Sequence, residues 1–253
     1  MFQIFPDPSS VAECVSAALI AKIRAKPDAV LGLATGGTME PVYASFVARA
    51  REAKLDVSRL TSFNLDEYVG LSPDHPKSYA AYMREHLFQH LGFDPSRLHL
   101  PDGLARDLPA HCAEYAARLG ACGGIDLQLL GVGGNGHIGF NEPGTAFDCP
   151  CHVVELAEQT RIDNSRFFAE GAIVPGSAIT MGMAEIMQAR EILLVATGES
   201  KAKIVAQWHE QGVTEAVPFT LLKRHPRATI ILDQAAASLL PDDIYRERMV
   251  VNG

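Results

Sequence analysis

Short apolar runs recur along the chain, and between them lie segments whose apolar residues fall every three or four positions. The runs are AVLGLAT (29–35), RLTSFN (59–64), RLHL (97–100), IDLQLLGV (125–132), HVVEL (152–156), EILLVAT (191–197) and ATIILD (228–233). The runs are strand-like, and the three-to-four spacing predicts helices over 9–25, 41–53, 78–91, 108–119, 177–189 and 199–211. Strand and helix alternating in this way predict βαβ units. The expected fold is therefore α/β: a doubly wound, mostly parallel, Rossmann-like sheet with helices on both faces. No long Pro/Gly/Ser linker, low-complexity tract or internal repeat interrupts the pattern, so residues 1–253 are expected to form a single domain.

Composition narrows the partners. The formal net charge is −8 and no Lys/Arg run breaks the acidic balance, which argues against nucleic acid. The apolar runs fall well short of the ~20 residues of a bilayer span, and the N-terminus lacks a basic-then-apolar signal pattern. No membrane association and a cytoplasmic location are expected. Five cysteines, an odd number without regular spacing, point to reduced thiols. Cys149, Cys151 and His152 lie together, but two cysteines one residue apart do not match the usual zinc-ligand spacing and no second pair follows. The cluster reads as a loop with free thiols, and no metal is expected.

In open α/β sheets, ligands bind where loops leave the carboxyl ends of strands. Three such loops carry candidate chemistry. LATGGTMEP places Gly36, Gly37 and Thr38 between a strand and a helix, where backbone N–H groups, a hydroxyl and a helix N-terminus can hold phosphate. It lacks the G-K-[ST] ending of a Walker A loop, and a plain tight turn is the alternative. FNLDEYVGL places Asp66 and Glu67 just past a strand, suited to proton transfer or, alternatively, to capping.

The third loop, GVGGNGHIGFNEPG, begins like the G-x-G-x-x-G dinucleotide fingerprint, but Gly139, Pro143, Gly144 and Pro150 oppose the helix that fingerprint requires. No dinucleotide cofactor is expected. As a catalytic loop it offers His137 in a glycine-flanked turn, with Asn135 before it and Glu142 after it; a structural histidine is the alternative. Arg166 and Lys201 could complete an anion site, or could be solvated surface charges.

LATGGT, FNLDEYVGL…HPKSY, GVGGNGHIGFNEPG, TRIDNSRFF, VPGSAITMGM and GESKA, in this order over nearly the whole chain, together resemble the glucosamine-6-phosphate deaminase family, also called glucosamine-6-phosphate isomerases. The 6-phosphogluconolactonases share the fold, but their histidine loop usually reads GHTASLFPG-like. The resemblance implies cofactor-free conversion of D-glucosamine 6-phosphate and water to D-fructose 6-phosphate and ammonia. It implies that Asp66 takes the C2 proton and returns it at C1, that His137 opens the sugar ring, and that Glu142 supports that histidine. It also implies that Gly36, Gly37, Thr38, Arg166 and Lys201 hold the phosphate, with a lid at about 152–175.

Three positions depart from the family pattern. Asn135 stands where many members carry Asp, and His152 and Val154 stand where effector-activated hexameric members carry Arg and Lys. Hyperbolic kinetics without effector activation are therefore expected. Monomer and homo-oligomer stay open, as do the alternatives of a galactosamine-6-phosphate deaminase, a 6-phosphogluconolactonase and a catalytically silent sugar-phosphate sensor.

Overall fold

A computed structural model describes residues 2–165, 168 and 174–249. The chain opens with strand β1 (Phe2–Phe5) and helix α1 (Pro8–Ala25). Asp7 caps α1 by accepting a hydrogen bond from the Ser10 N–H at 2.8 Å, Pro8 pre-sets its first turn, and Val11, Val15, Leu19 and Ile23 form its buried stripe. Next come β2 (Val30–Leu33), α2 (Met39–Glu52), β3 (Thr61–Asn64), β4 (Asp66–Tyr68), α3 (Tyr79–His86), β5 (Leu98–His99) and α4 (Leu108–Ala121). The second half runs β6 (Leu127–Leu130), β7 (His152–Glu155), α5 (Glu158–Ser165), β8 (Ser177–Thr180), α6 (Met183–Met187), β9 (Ile192–Ala196), α7 (Ala202–Glu210), β10 (Ala228–Asp233) and α8 (Asp242–Arg248).

Seven strands form one sheet in the order β1-β10-β9-β6-β2-β3-β5, and every pairing in it is parallel. Every residue of β2, β3, β6 and β9 is buried, so both faces of the sheet centre are covered. From β2 the chain winds outward through β3 to β5, then returns to the other side of β2 with β6 and continues outward to β9 and β10. The winding direction reverses between β2 and β6. A crevice opens at such a switch point, beyond the carboxyl ends of the strands.

A second, antiparallel sheet of order β4-β8-β7 stands on that same edge, because β4 begins two residues after β3 ends. Here the structure corrects the sequence reading. The helix expected over 177–189 is strand β8 followed by the short helix α6, because Ser177–Thr180 pairs with both β4 and β7. Within the expected lid segment, β7 is bound to this small sheet and α5 follows it. Residues 166, 167 and 169–173 lie outside the described residues, Arg166 among them.

The amino-terminal edge of the large sheet is built from charge pairs. Asp126, just before β6, lies 2.7 Å from Lys26 Nζ and 3.1 Å from Arg190, and Glu191, just before β9, lies 2.8 Å from Lys22 and 3.1 Å from Arg227. Among the described residues no helix is long and apolar enough to cross a membrane.

Candidate active site

Four neighbouring strands, β9, β6, β2 and β3, deliver the candidate loops to one edge. Asp66 and Glu67 start β4, and strand alternation sends their side chains to opposite sides. Glu67 accepts backbone hydrogen bonds from Tyr68 at 2.8 Å and from Tyr79 and Ala80 at 3.0 Å, which ties it to the first turn of α3. It is a structural carboxylate. Asp66 is 6% exposed, and among the described residues nothing donates a hydrogen bond to its carboxyl group. Burial, and then the neighbouring Glu67 charge, push its pKa up to about 8.

The loop between β6 and β7 comes directly against Asp66. Gly139 has φ +58°, and a Cβ there would lie 3.5 Å from Asp66 Oδ2 and 2.9 Å from Thr180 Oγ1. The absence of a side chain at 139 lets the loop pass beside the carboxylate. Thr180, the register partner of Asp66, accepts the Phe140 N–H at 3.1 Å. Asn141 donates to the carbonyls of Ile138 and Met181 at 2.9 Å each, which ties the loop to the end of β8. The rings of Tyr68, Tyr79 and Phe140 lie within 6.2 Å of one another and supply the apolar surroundings.

In this loop His137, Asn135 and Glu142 converge, as their spacing suggested. His137 Nδ1 lies 3.6 Å from Glu142 Oε2, within ion-pair reach of a protonated ring. The imidazole lies across Gly133, where any side chain would collide with it. The Asn135 Oδ1 accepts the His137 backbone N–H at 3.1 Å, which turns its amide nitrogen to donate to Glu142 Oε2 at 2.7 Å. The Thr160 hydroxyl donates to Glu142 Oε1 at 2.5 Å. Burial by itself raises the Glu142 pKa, but His137, Thr160 and Asn135 together outweigh it and hold the carboxyl below its ordinary value.

The turn from β2 to α2 holds Gly36, with φ +101°, and Gly37; a Cβ at either would meet only open space. Its backbone is anchored from behind, where Tyr82 and Tyr43 donate to the carbonyls of Gly36 at 2.9 Å and Ala34 at 2.5 Å. Thr38 occupies the N-cap position of α2 without using its side chain as a cap. Lys201 ends a 3-10 turn (Glu199–Lys201) between β9 and α7. Gly198, with φ +87°, begins that turn and donates its N–H to both carboxyl oxygens of Asp233 at 3.0 Å. Cys149 Sγ lies 3.3 Å from His152 Nδ1, and among the described residues no group of three or more His, Cys, Asp or Glu side chains is arranged to hold a metal.

The sequence reading offered capping as the alternative for the Asp66–Glu67 pair without saying which of the two caps, and it missed the contact from Thr160. The motif TRIDNSRFF drew attention to its arginine, whereas Thr160 at its start is 3% exposed and bonded to the histidine's carboxylate.

A buried, high-pKa carboxylate beside a histidine–carboxylate pair, at the switch point of a parallel sheet, is the equipment of an α/β enzyme that moves protons on a bound small molecule. The chain matches the family described as glucosamine-6-phosphate isomerases/6-phosphogluconolactonase over residues 8–231. It is 52% identical over 225 residues to the glucosamine-6-phosphate deaminase of Geobacillus sp., covering 89% of this chain and 90% of that one. With the protein of the same name from Rhodopirellula baltica it shares 51% over 238 residues, 94% of this chain and 95% of that one. A solved structure of a monomeric glucosamine-6-phosphate deaminase matches with a TM-score of 0.92 at 42% identity, over 94% of this chain and 100% of that one. The chain belongs to the glucosamine-6-phosphate isomerase/6-phosphogluconolactonase family.

Proposed function

We propose that this protein is a glucosamine-6-phosphate deaminase, converting D-glucosamine 6-phosphate and water to D-fructose 6-phosphate and ammonia. The observation that carries the reading is the meeting of Asp66 with the histidine loop across Gly139. Moving a proton between adjacent carbons requires one carboxylate that reaches both, and no hydrogen-bond donor among the described residues occupies the one on Asp66. Asp66 takes the C2 proton of the open-chain sugar and returns it at C1 through an enolamine. His137 opens the ring by proton transfer at the ring oxygen, and Glu142 and Asn135 orient and support it.

The phosphate end of the substrate belongs at the turn from β2 to α2. There Gly36 and Gly37 border open space at the start of α2, and the Thr38 side chain is not used as a cap. Lys201, at the carboxyl end of β9 two strands away across β6, is assigned to the same phosphate, and so is Arg166, which lies outside the described residues. Anchoring this remote group positions C1 and C2 over Asp66. The segment at about 152–175 acts as a lid that excludes water while the proton moves. The deaminase reading is preferred to a lactonase because the relatives at 52% and 51% identity bear the deaminase name.

The test is a substrate panel of glucosamine 6-phosphate, galactosamine 6-phosphate and 6-phosphogluconolactone. Ammonia release from the first, with little from the second and no hydrolysis of the third, is expected; lactone hydrolysis without ammonia release would overturn the reading.

A further inference from the structure

We infer that Thr160 is a positioning residue that sets the charge and orientation of Glu142, and through Glu142 decides which nitrogen of His137 carries the proton. The inference rests on the proposed function only for its consequence in turnover. Glu142 divides its donors between its two oxygens: Oε1 accepts from the Thr160 hydroxyl at 2.5 Å, and Oε2 accepts from the Asn135 amide at 2.7 Å and faces His137 Nδ1 at 3.6 Å. The Thr160 contact comes from a different element, helix α5, whereas Asn135 and His137 share the loop of Glu142 itself. Without it the carboxylate is held from one side only and can turn about its last bond. Thr160 is 3% exposed, so no water replaces its hydroxyl freely.

The chemical consequence follows from His137 Nδ1, a buried atom that no donor or acceptor among the described residues satisfies at ordinary hydrogen-bond distance. An ionised Glu142 held with Oε2 toward that atom favours Nδ1–H and leaves Nε2 as the nitrogen that exchanges protons with substrate. Removing the Thr160 hydroxyl weakens the ionised form of a carboxyl that burial already disfavours, so Glu142 takes up a proton at higher pH. The ring then loses the charge that selects its tautomer.

The experiment compares wild type, Thr160→Val, which keeps shape and burial but lacks the hydroxyl, and Thr160→Ser, which keeps it. Carbon-13 NMR of the glutamate carboxyls and nitrogen-15 NMR of the histidine rings, assigned with Glu142→Gln and His137→Gln, read the two groups without turnover. In Thr160→Val, Glu142 is expected to titrate about one pH unit higher and His137 to lose its single-tautomer signature. With glucosamine 6-phosphate, kcat falls about tenfold while KM stays within twofold, and Thr160→Ser restores both. Should Thr160→Val not fold, Thr160→Ala is read by the same measurements. A folded Val or Ala variant with wild-type Glu142 titration and His137 tautomer overturns the inference. Absence of ammonia release by the wild type would instead count against the deaminase reading, and the NMR comparison would still decide the role of Thr160.

Discussion

The two edges of the large sheet treat charge in opposite ways. At the amino edge Asp126 sits between Lys26 and Arg190 and also accepts the Val30 N–H at 2.8 Å, so that these contacts overcome burial and hold its carboxyl below its ordinary value. At the carboxyl edge Asp66 is as well buried, yet it meets a second carboxylate in sequence and no donor among the described residues, and its pKa rises to about 8. One aspartate is satisfied and contributes to stability; the other is left unsatisfied and costs it. Uncompensated burial of an ionisable group persists where chemistry requires it. The difference in hydrogen bonding recurs over a single residue step, because Glu67 is bound by three backbone N–H groups while Asp66 is not, even though burial still raises the Glu67 pKa.

The largest effect is expected from Asp66→Asn. Removing the base should lower kcat by about 10³-fold or more, with substrate affinity changed only a few-fold. The same substitution should stabilise the fold. Between the ordinary aspartate pKa of 3.8 and about 8 the folded state binds a proton that the unfolded chain has released, so the stability of the wild type falls as pH rises through that window. Asn removes this dependence. The gain in Tm should therefore be larger at pH 8 than at pH 5, and an equal or reversed gain measured by calorimetry would remove the unfavourable burial of Asp66 from the account.

Next in size are the cations assigned to the phosphate. Under the proposed assignment Lys201→Ala and Arg166→Ala would each delete a charge-assisted contact worth ~1.5–3 kcal/mol, so KM for glucosamine 6-phosphate should rise by about ten- to a hundredfold in initial-rate measurements. Unchanged KM in both variants would place the phosphate elsewhere.

Asp126→Asn should do the converse of Asp66→Asn. Denaturant unfolding at pH 7 should show a loss of about 1–3 kcal/mol, with kcat within twofold of wild type. Because the Asp126 pKa is depressed in the fold, its contribution is present above the ordinary carboxylate range and disappears as pH falls through the folded value. The difference between variant and wild type should therefore shrink in acid. A variant of normal stability and low activity would dissolve the distinction between the two edges.

The smallest effect expected is none at all. His152 and Val154 lie on β7, where Val154 carries no charge and the His152 ring nitrogen Nδ1 is engaged by the Pro150 carbonyl at 2.8 Å. A ligand without differential affinity for two states shifts no equilibrium. Rate curves should be hyperbolic and unmoved by N-acetylglucosamine 6-phosphate; sigmoidal curves that straighten when it is added would restore an effector site.

The parallel sheet was legible in the sequence because most of its strands lie in short apolar runs that alternate with helical spacing, a signal that needs no partner to be read. The small antiparallel sheet was not. Its strand β4 is DEY, without apolar alternation, and in β8 and its flank Ala178, Ile179, Met181, Met183 and Ile186 fit helical spacing well enough to suggest 177–189. Pairing of Asp66 with Thr180 and of His152 with the same residue decides the structure there, and such long-range contacts leave little local trace. β1 (Phe2–Phe5) escaped notice; it lies at a sheet edge. In the site, the grouping of Asn135, His137 and Glu142 was readable because one glycine-rich loop carries all three. The division of labour between Asp66 and Glu67 required the position of α3, and the part of Thr160 required the docking of α5.

Asp66 alone is proposed to carry the proton between C2 and C1. This role is tested most directly by running the wild type and Asp66→Asn on glucosamine 6-phosphate in deuterium oxide and following ammonia and the label at C1 of fructose 6-phosphate. Expected from the wild type is ammonia, with C1 carrying protium delivered from C2 and deuterium only in the fraction of turnovers in which the proton on Asp66 exchanges with solvent before it is returned, at a kcat/KM that rises with pH toward about 8 as Asp66 ionises in the free enzyme; neither product is expected from the variant. Ammonia and C1 label produced by Asp66→Asn at near wild-type rates would contradict it.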